Sequence, residues 1–357
     1  MLHLRAPQHD GSVRTDTGKH EPLAGADERD EQEKVDEEKR DEQVTSQGDA
    51  RTLRQLPDTD LLVYPLALGG SVFGWTADGA TSYDILDRHH ALGGNFVDTA
   101  DSYAAGRSEV ILGGWMRSRR ARDQTIVATK IGRNLDNPGL TPRSIVGAVD
   151  ASLERLQTDC IDVLYFHLDD SDVPLEESLG AVDVLVKSGK VRHIAASNFS
   201  AERLMEARVL AANGLPRFIA LQSHYNLVHR EAFEGELAVV TRAQGLGVMP
   251  YFALAHGFLT GKYRTKADVA NSARGARAAS YLHRRPLRVL STMERIAAEH
   301  NAPLSSVALA WLLSRDGVVA PVASASSPSQ VEGLMTAAQI SLTQNDRHDL
   351  DKISAWA

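Results

Sequence analysis

From about residue 55 onward the chain alternates short runs of β-branched and aliphatic residues with longer stretches whose apolar side chains recur every three or four positions. The extended runs cover residues 65–69, 95–100, 125–130, 161–167, 191–198, 218–225, 247–254 and 318–324. Between them, residues 141–157 place Ile145, Val149, Leu153 and Leu156 on one helical face, and residues 175–189 do the same with Leu179, Val182, Leu185 and Val186. Thr141-Pro142 and Asp172-Val173-Pro174 read as helix starts, and Gly93, Gly189, Gly214 and Gly245 as helix ends. The extended runs are almost continuously apolar, as strands are when helices cover both faces of a sheet. Eight such units with no antiparallel half predict an α/β fold, a closed (β/α)8 TIM barrel. An open doubly wound sheet is the rival on pattern alone. Two stretches depart from the alternation: residues 255–285, and an additional C-terminal helix from about Gln344. The first follows the seventh run, on the face where barrel loops do chemistry.

Charge divides the chain differently. Of the net −8 over 357 residues, the first 50 supply 14 acids against 7 bases, leaving 33 acids and 32 bases for the rest. Between Asp27 and Gln43 the only large apolar residue is Val35. Such a run buries too little surface to offset its ordering entropy, so residues 1–55 are expected to be a disordered charged extension, with a transient charged helix as the alternative. Residues 56–357 form the barrel. A nearly neutral barrel offers no basic footprint for nucleic acid and no polybasic patch for a membrane. No apolar run approaches the ~18 residues that span a bilayer, and the start of the chain lacks a secretory signal. The single cysteine, Cys160, excludes an intrachain disulfide and reads as a small buried hydrophobe; the cytoplasm is the expected compartment.

A bound nucleotide usually leaves a signature, and the common ones are missing. The glycines at 69–74 and 245–247 have the wrong spacing for G-x-G-x-x-G, no P-loop occurs, and no Tyr-x-x-x-Lys pair exists. The seventh run offers no carboxylate to match Asp169 or Asp170, which disfavours a two-carboxylate glycosidase. His89 and His90 are neighbours on a helix and point apart, so a shared metal is not expected.

In a barrel, polar groups at the C-terminal ends of strands converge on one site. Here the second run ends near Asp98, with Tyr103 five residues later; the third ends in Lys130 and the fourth in His167. Singly, each has a plain structural reading: a cap, a solvated lysine, a core histidine, a packing tyrosine. Together they suit proton transfer to a carbonyl oxygen. A free phenol, with a pKa of about 10, is a weak acid near neutrality, and an adjacent ammonium favours its ionisation. None of the four can give a hydride, so a reduction requires a nicotinamide.

These residues lie in stretches that resemble the aldo/keto reductase family: LALGGSVFGW (66–75), GGNFVDTADSYAAGRSE (93–109), ATK (128–130), DVLYFHLDD (162–170), GKVRHIAASNFS (189–200), QSHYNL (222–227) and GFLTGKY (257–263). The resemblance covers residues 60 to about 340. It implies Tyr103 as general acid, tuned by Lys130 and Asp98, with His167 orienting the substrate. It implies NADPH rather than NADH as cofactor, with Ser197, Asn198 and Gln222 on the nicotinamide carboxamide and Tyr251 stacked on its ring. Gly257, Leu259, Gly261 and Lys262 match the pyrophosphate segment, and Ser326 and Gln330 the adenosine-phosphate segment. Phe73 and Trp75 match substrate-pocket walls, and no metal is implied.

The chain also departs from the family pattern. Phe252-Ala253 replaces the usual Ser-Pro, Ser324 a usual glycine, and Leu334 a common asparagine. No Arg or Lys occupies positions 326 or 327, so a charged clamp on the adenosine 2′-phosphate is missing there. Arg274 and Arg277 of the long loop could supply that charge, although a solvated loop is the simpler reading. The expected partner is a small-molecule carbonyl: a sugar-like compound, a small aldehyde or a polycyclic secondary ketone. A dinucleotide-binding regulatory subunit, similar to the potassium-channel β-subunits, is the alternative function. The oligomeric state stays open.

Overall fold

The computed structural model describes residues 53–270 and 272–356. The charged extension expected for residues 1–55 lies outside them except for its last three positions. The described chain begins with an antiparallel hairpin, β1 (Arg54–Gln55) and β2 (Leu62–Val63), so the fold starts ahead of the residue-56 boundary. Thr59 ties the turn, its Oγ1 donating to the Leu56 carbonyl at 2.9 Å and accepting from the Leu61 N–H at 3.0 Å. Leu56, Leu61 and Val63 pack with Phe96, Val163 and Met249, which point inward from the barrel strands. The hairpin therefore plugs the end of the barrel opposite the chemistry.

The barrel strands are β3 (Ala67–Gly69), β4 (Phe96–Asp98), β5 (Ile126–Ile131), β6 (Ile161–Phe166), β7 (Val191–Ser197), β8 (Phe218–His224), β9 (Gly247–Tyr251) and β10 (Val322–Ala323). Each is parallel to its sequence neighbour from β3 to β9, and β10 pairs with β3. Closure is made by the segment before β10. The Val248 N–H donates to the Gly317 carbonyl at 2.8 Å, and the Val319 N–H to the Val248 carbonyl at 3.0 Å. The expected run 318–324 is thus split, its front half on β9 and its back half on β3. Pro321 separates the halves, having no N–H to give to a ladder. First and last strands being neighbours, the open-sheet rival falls and the fold is a (β/α)8 barrel.

Helices α1 (Gly79–Ala91), α2 (Arg107–Arg119), α3 (Pro142–Leu156), α4 (Leu175–Lys187), α5 (Ala201–Ala212) and α6 (Glu236–Gln244) follow β3 to β8 in turn. α3 shows how locally these are specified. The Thr141 hydroxyl accepts from the Ser144 N–H, Pro142 opens the first turn, and Ile145, Val149 and Leu156 are fully buried. Burying such a side chain stabilises by about 1.5–3 kcal/mol. Behind β9, the described residues between 255 and 283 form 3-10 turns at Ala255–Thr260 and Ala279–Tyr281 and two four-residue helices, α7 (Lys266–Val269) and α8 (Gly275–Ala278). Longer helices resume with α9 (Arg284–Glu299), α10 (Leu304–Leu313) and α11 (Pro328–Met335). The expected C-terminal helix is α12 (Gln344–Ser354), started by a capping box between Thr343 and Asp346.

Candidate active site

Strand register brings the four proton-handling groups together. Asp98 ends β4, Lys130 sits near the end of β5, and His167 follows β6 directly; Tyr103 lies in the turn after β4. Asp98 and Lys130 are 2% and 1% exposed, and Lys130 Nζ lies 2.5 Å from Asp98 Oδ1. The ammonium also donates to the Thr99 carbonyl at 2.9 Å. Gln222 Nε2 donates to the other Asp98 oxygen at 2.8 Å. Both buried charges are therefore partnered, the condition under which such a pair survives loss of water. Lys130 Nζ lies 5.2 Å from the centre of the Tyr103 ring, within hydrogen-bonding reach of its hydroxyl. His167 meets Tyr103 edge-on, ring centres 5.9 Å apart.

The electrostatics correct one expectation. Burial pushes the Tyr103 phenol above its ordinary value; Lys130 opposes this and Asp98 adds to it, so the net direction is up. The phenol is thus fully protonated near neutrality, and the ammonium limits the rise without reversing it. Burial works against the Lys130 charge, but Asp98 and Tyr103 outweigh it and hold the ammonium above the usual lysine range. Burial, with Lys130 and Arg133 nearby, drives His167 down to about 2, so its imidazole is neutral.

A second buried layer, not singled out in the sequence, supports this one. Thr129, next to Lys130 on β5, donates to Glu109 Oε1 at 2.5 Å, and Arg155 Nε reaches Glu109 Oε2 at 2.7 Å. These contacts pin β5 to α2 and α3. Asp101, two residues before Tyr103, is fully buried, and its carboxylate makes no hydrogen bond of good geometry; Gly132 and Ser102 come near enough only to temper its rise. Burial and the Glu109 charge raise it to about 7. Only the acid three residues after Asp98 hinted at this; its isolation depends on packing.

A cavity of about 1290 Å³ runs from Asp98, Tyr103 and His167 past Tyr251 and Lys262 to Ser326 and Gln330. Ser197 ends β7, Asn198 follows it in the left-handed region (φ 58°), and Gln222 lies on β8. Asn198 Nδ2 donates to the His167 carbonyl at 2.8 Å, and its Oδ1 accepts from the Tyr251 hydroxyl at 2.7 Å. Tyr251 is fixed between that bond, the His224 ring stacked 5.4 Å away and the edge of Phe252 at 4.9 Å. At the far end the Ser326 N–H donates to Gln330 Oε1 at 2.8 Å. Gly69 lets β3 and β10 approach closely: a Cβ there would stand 2.7 Å from Ser324 Oγ and 3.2 Å from Val322 Cγ1, so the Ser324 side chain would have to turn away.

Three expectations change. Phe73 is completely buried in the core and does not line the cavity, whereas Trp75 does, with 55% of its surface exposed. Leu259 is also fully buried; of its segment, Gly257 and Lys262 reach the cavity and Gly261 does not. Arg274 is not a solvated loop residue. It crosses the barrel mouth, donating to Ser71 Oγ at 3.1 Å, and its guanidinium sits 5.8 Å from the centre of the Trp75 ring. Arg277 is exposed but also lines the cavity.

Fold and site define a class: a closed barrel whose C-terminal mouth sets a half-buried phenol against a buried ammonium–carboxylate pair beside a large cavity. Comparison with known proteins agrees. The aldo/keto reductase family profile matches residues 65–355. The chain is 33% identical over 314 residues to a norsolorinic acid reductase B of Aspergillus parasiticus, covering 82% of this chain and 81% of that one. An aldo-keto reductase of Alternaria alternata is 31% identical (84% and 90% covered), and an aryl-alcohol dehydrogenase of Pestalotiopsis microspora 30% identical (83% and 80%). The chain belongs to the aldo/keto reductase family and is an oxidoreductase. Among the described residues, no helix is long and apolar enough to cross a membrane, and no group of three or more His, Cys, Asp or Glu could hold a metal ion.

Proposed function

We propose that the protein reduces an aldehyde or ketone to the alcohol with NADPH, using Tyr103 as general acid. The observation that carries this reading is the fully buried Lys130–Asp98 pair set against the Tyr103 phenol. The residues present fit a nicotinamide dinucleotide. Gln222 gives its N–H to Asp98, which leaves its carbonyl oxygen for the carboxamide, with Ser197 and Asn198 beside it. The Tyr251 ring is fixed as a stacking surface. Gly257 and Lys262, with Arg274 strapped across the mouth, would hold the pyrophosphate; Leu259 and Gly261 would shape that turn from behind. Ser326 and Gln330 would meet the adenosine phosphate.

A bound nicotinamide would supply the hydride for the carbonyl carbon, and Tyr103 holds the phenolic proton that its oxygen needs. The Lys130 ammonium then faces a phenolate, which it stabilises, and water restores the proton. Neutral His167 hydrogen-bonds the carbonyl oxygen and orients it without competing as an acid. Oxidation of an alcohol uses the same groups in reverse. Preference for NADPH over NADH follows the family resemblance. It should be modest, about tenfold, because the far end offers hydroxyls and N–H groups while the nearby Arg88 is held by Glu332. The test is a carbonyl panel that includes 4-nitrobenzaldehyde, run separately with NADPH and NADH and followed by absorbance at about 340 nm. Steady turnover with NADPH is expected. Tight cofactor binding without turnover of any carbonyl would overturn the reading in favour of a regulatory dinucleotide-binding subunit.

A further inference from the structure

Four cations line the cavity: Arg133, Lys262, Arg274 and Arg277. The carboxylates that line it, Asp98 and Glu332, are already engaged, by Lys130 and by Arg88. Under the reading above, Lys262, Arg274 and Arg277 serve the cofactor phosphates, and Arg274, which also faces Tyr103, is already tied to Ser71 and stacked by Trp75. Arg133 does not. It stands two residues beyond the end of β5, on the side of the reacting groups, where its charge acts on Tyr103, His167 and Tyr251. Its backbone is held on both sides. Gly132 bridges to Pro138, the Gly139 N–H donates to the Gly132 carbonyl at 3.0 Å, and Asn134 Nδ2 donates to the Asp101 carbonyl at 2.8 Å. Among the described residues its guanidinium has neither an ion pair nor a hydrogen bond. Among the large residues that line the cavity, Trp75, Tyr251 and Phe252 are aromatic, with Leu168 beside His167.

We infer that Arg133 is a specificity residue, and that the substrate is an aromatic carbonyl compound bearing an anionic group, a carboxylate or an ionised phenol, for its guanidinium to meet. The inference rests on the carbonyl-reductase reading and names the substrate class for that same site. A planar guanidinium suits a carboxylate because it can bind both oxygens at once. Arg133 is exposed, so the attraction is screened by solvent and salt. Its contribution should be about tenfold in kcat/KM.

The test compares 4-carboxybenzaldehyde and 3-carboxybenzaldehyde with 4-nitrobenzaldehyde, whose nitro group has the shape of a carboxylate without the net charge. In the wild-type enzyme with NADPH, the carboxylates should be preferred by about tenfold, mostly through KM, and the preference should shrink as salt is raised. In Arg133→Gln the ratio should fall to about one, and Arg133→Lys should restore part of it. A wild-type ratio near one, or a ratio that Arg133→Gln leaves intact, would overturn the inference. If none of the aldehydes is turned over, the reductase reading fails. Calorimetric titration with 4-carboxybenzyl alcohol and 4-nitrobenzyl alcohol then decides the inference alone: equal binding of the two by the wild type contradicts it, and a carboxylate preference lost in Arg133→Gln upholds it.

Discussion

The two ends of the cavity are built on opposite principles. At the catalytic end, side chains from strand termini are almost wholly buried, and each charge in the Asp98–Lys130 pair has a fixed partner. At the other end, where we propose that the adenosine binds, Ser326, Ser329 and Gln330 are exposed, on a loop and the start of α11, and polar contacts are made by hydroxyls and backbone N–H groups. A buried charge tolerates few substitutions because an orphaned partner costs several kcal/mol. An exposed hydroxyl can be exchanged for another donor at little cost. Chemistry is therefore written in residue identity at one end and in backbone shape at the other.

Breaking the buried pair should have the largest effect. Lys130→Met leaves the Asp98 carboxylate buried without its ammonium partner, with only Gln222 still donating to it, so turnover should fall at least 10³-fold and stability by about 3–5 kcal/mol, read by steady-state assay and denaturant melting. Retained activity would mean that the pair is structural ornament.

Asp101 tests the same logic with the opposite sign. Its carboxyl is buried without a well-formed hydrogen bond and raised to about 7. A carboxyl raised in the folded state stabilises fully below its unfolded pKa of about 4, and that contribution is lost as pH climbs through about 7. Asp101→Asn, which removes the charge, should therefore raise Tm by several degrees at pH 8 and by about a third as much at pH 5, where only about one of the three pH units of the loss has been crossed. Equal shifts at both pH values would show that the carboxyl does find a partner.

The exposed end should respond least. Gln330→Ala removes one acceptor from the Ser326 N–H and should raise KM for NADPH by about threefold. An effect of 10² or more would show that this end is as tightly specified as the catalytic one.

What could be read from the sequence follows the same division. All eight barrel strands were legible because runs covered on both faces are mostly apolar, as in Val163–Phe166 and Phe218–Leu221. That Asp98, Tyr103, Lys130 and His167 would meet was legible because strand ends converge. The β1–β2 hairpin was not, since two-residue strands have no periodicity; the Pro57–Asp60 turn between Leu56 and Leu61 was its only trace. Phe73 was placed on the pocket wall and lies in the core, because the turn after β3 exposes Trp75 instead. Arg274 was read as solvated because nothing local marks its reach to Ser71. The isolation of Asp101 and the unpaired state of Arg133 are properties of packing between distant segments.

The account stands on Tyr103 as the proton donor, and one comparison tests it directly: single-turnover reduction of 4-nitrobenzaldehyde by wild type and Tyr103→Phe, each preloaded with NADPH. The ring and its packing are kept while the proton is removed. The account predicts a rate at least 10³-fold lower in the variant, with NADPH affinity within about threefold of wild type. A variant that reduces the aldehyde at the wild-type rate would contradict it.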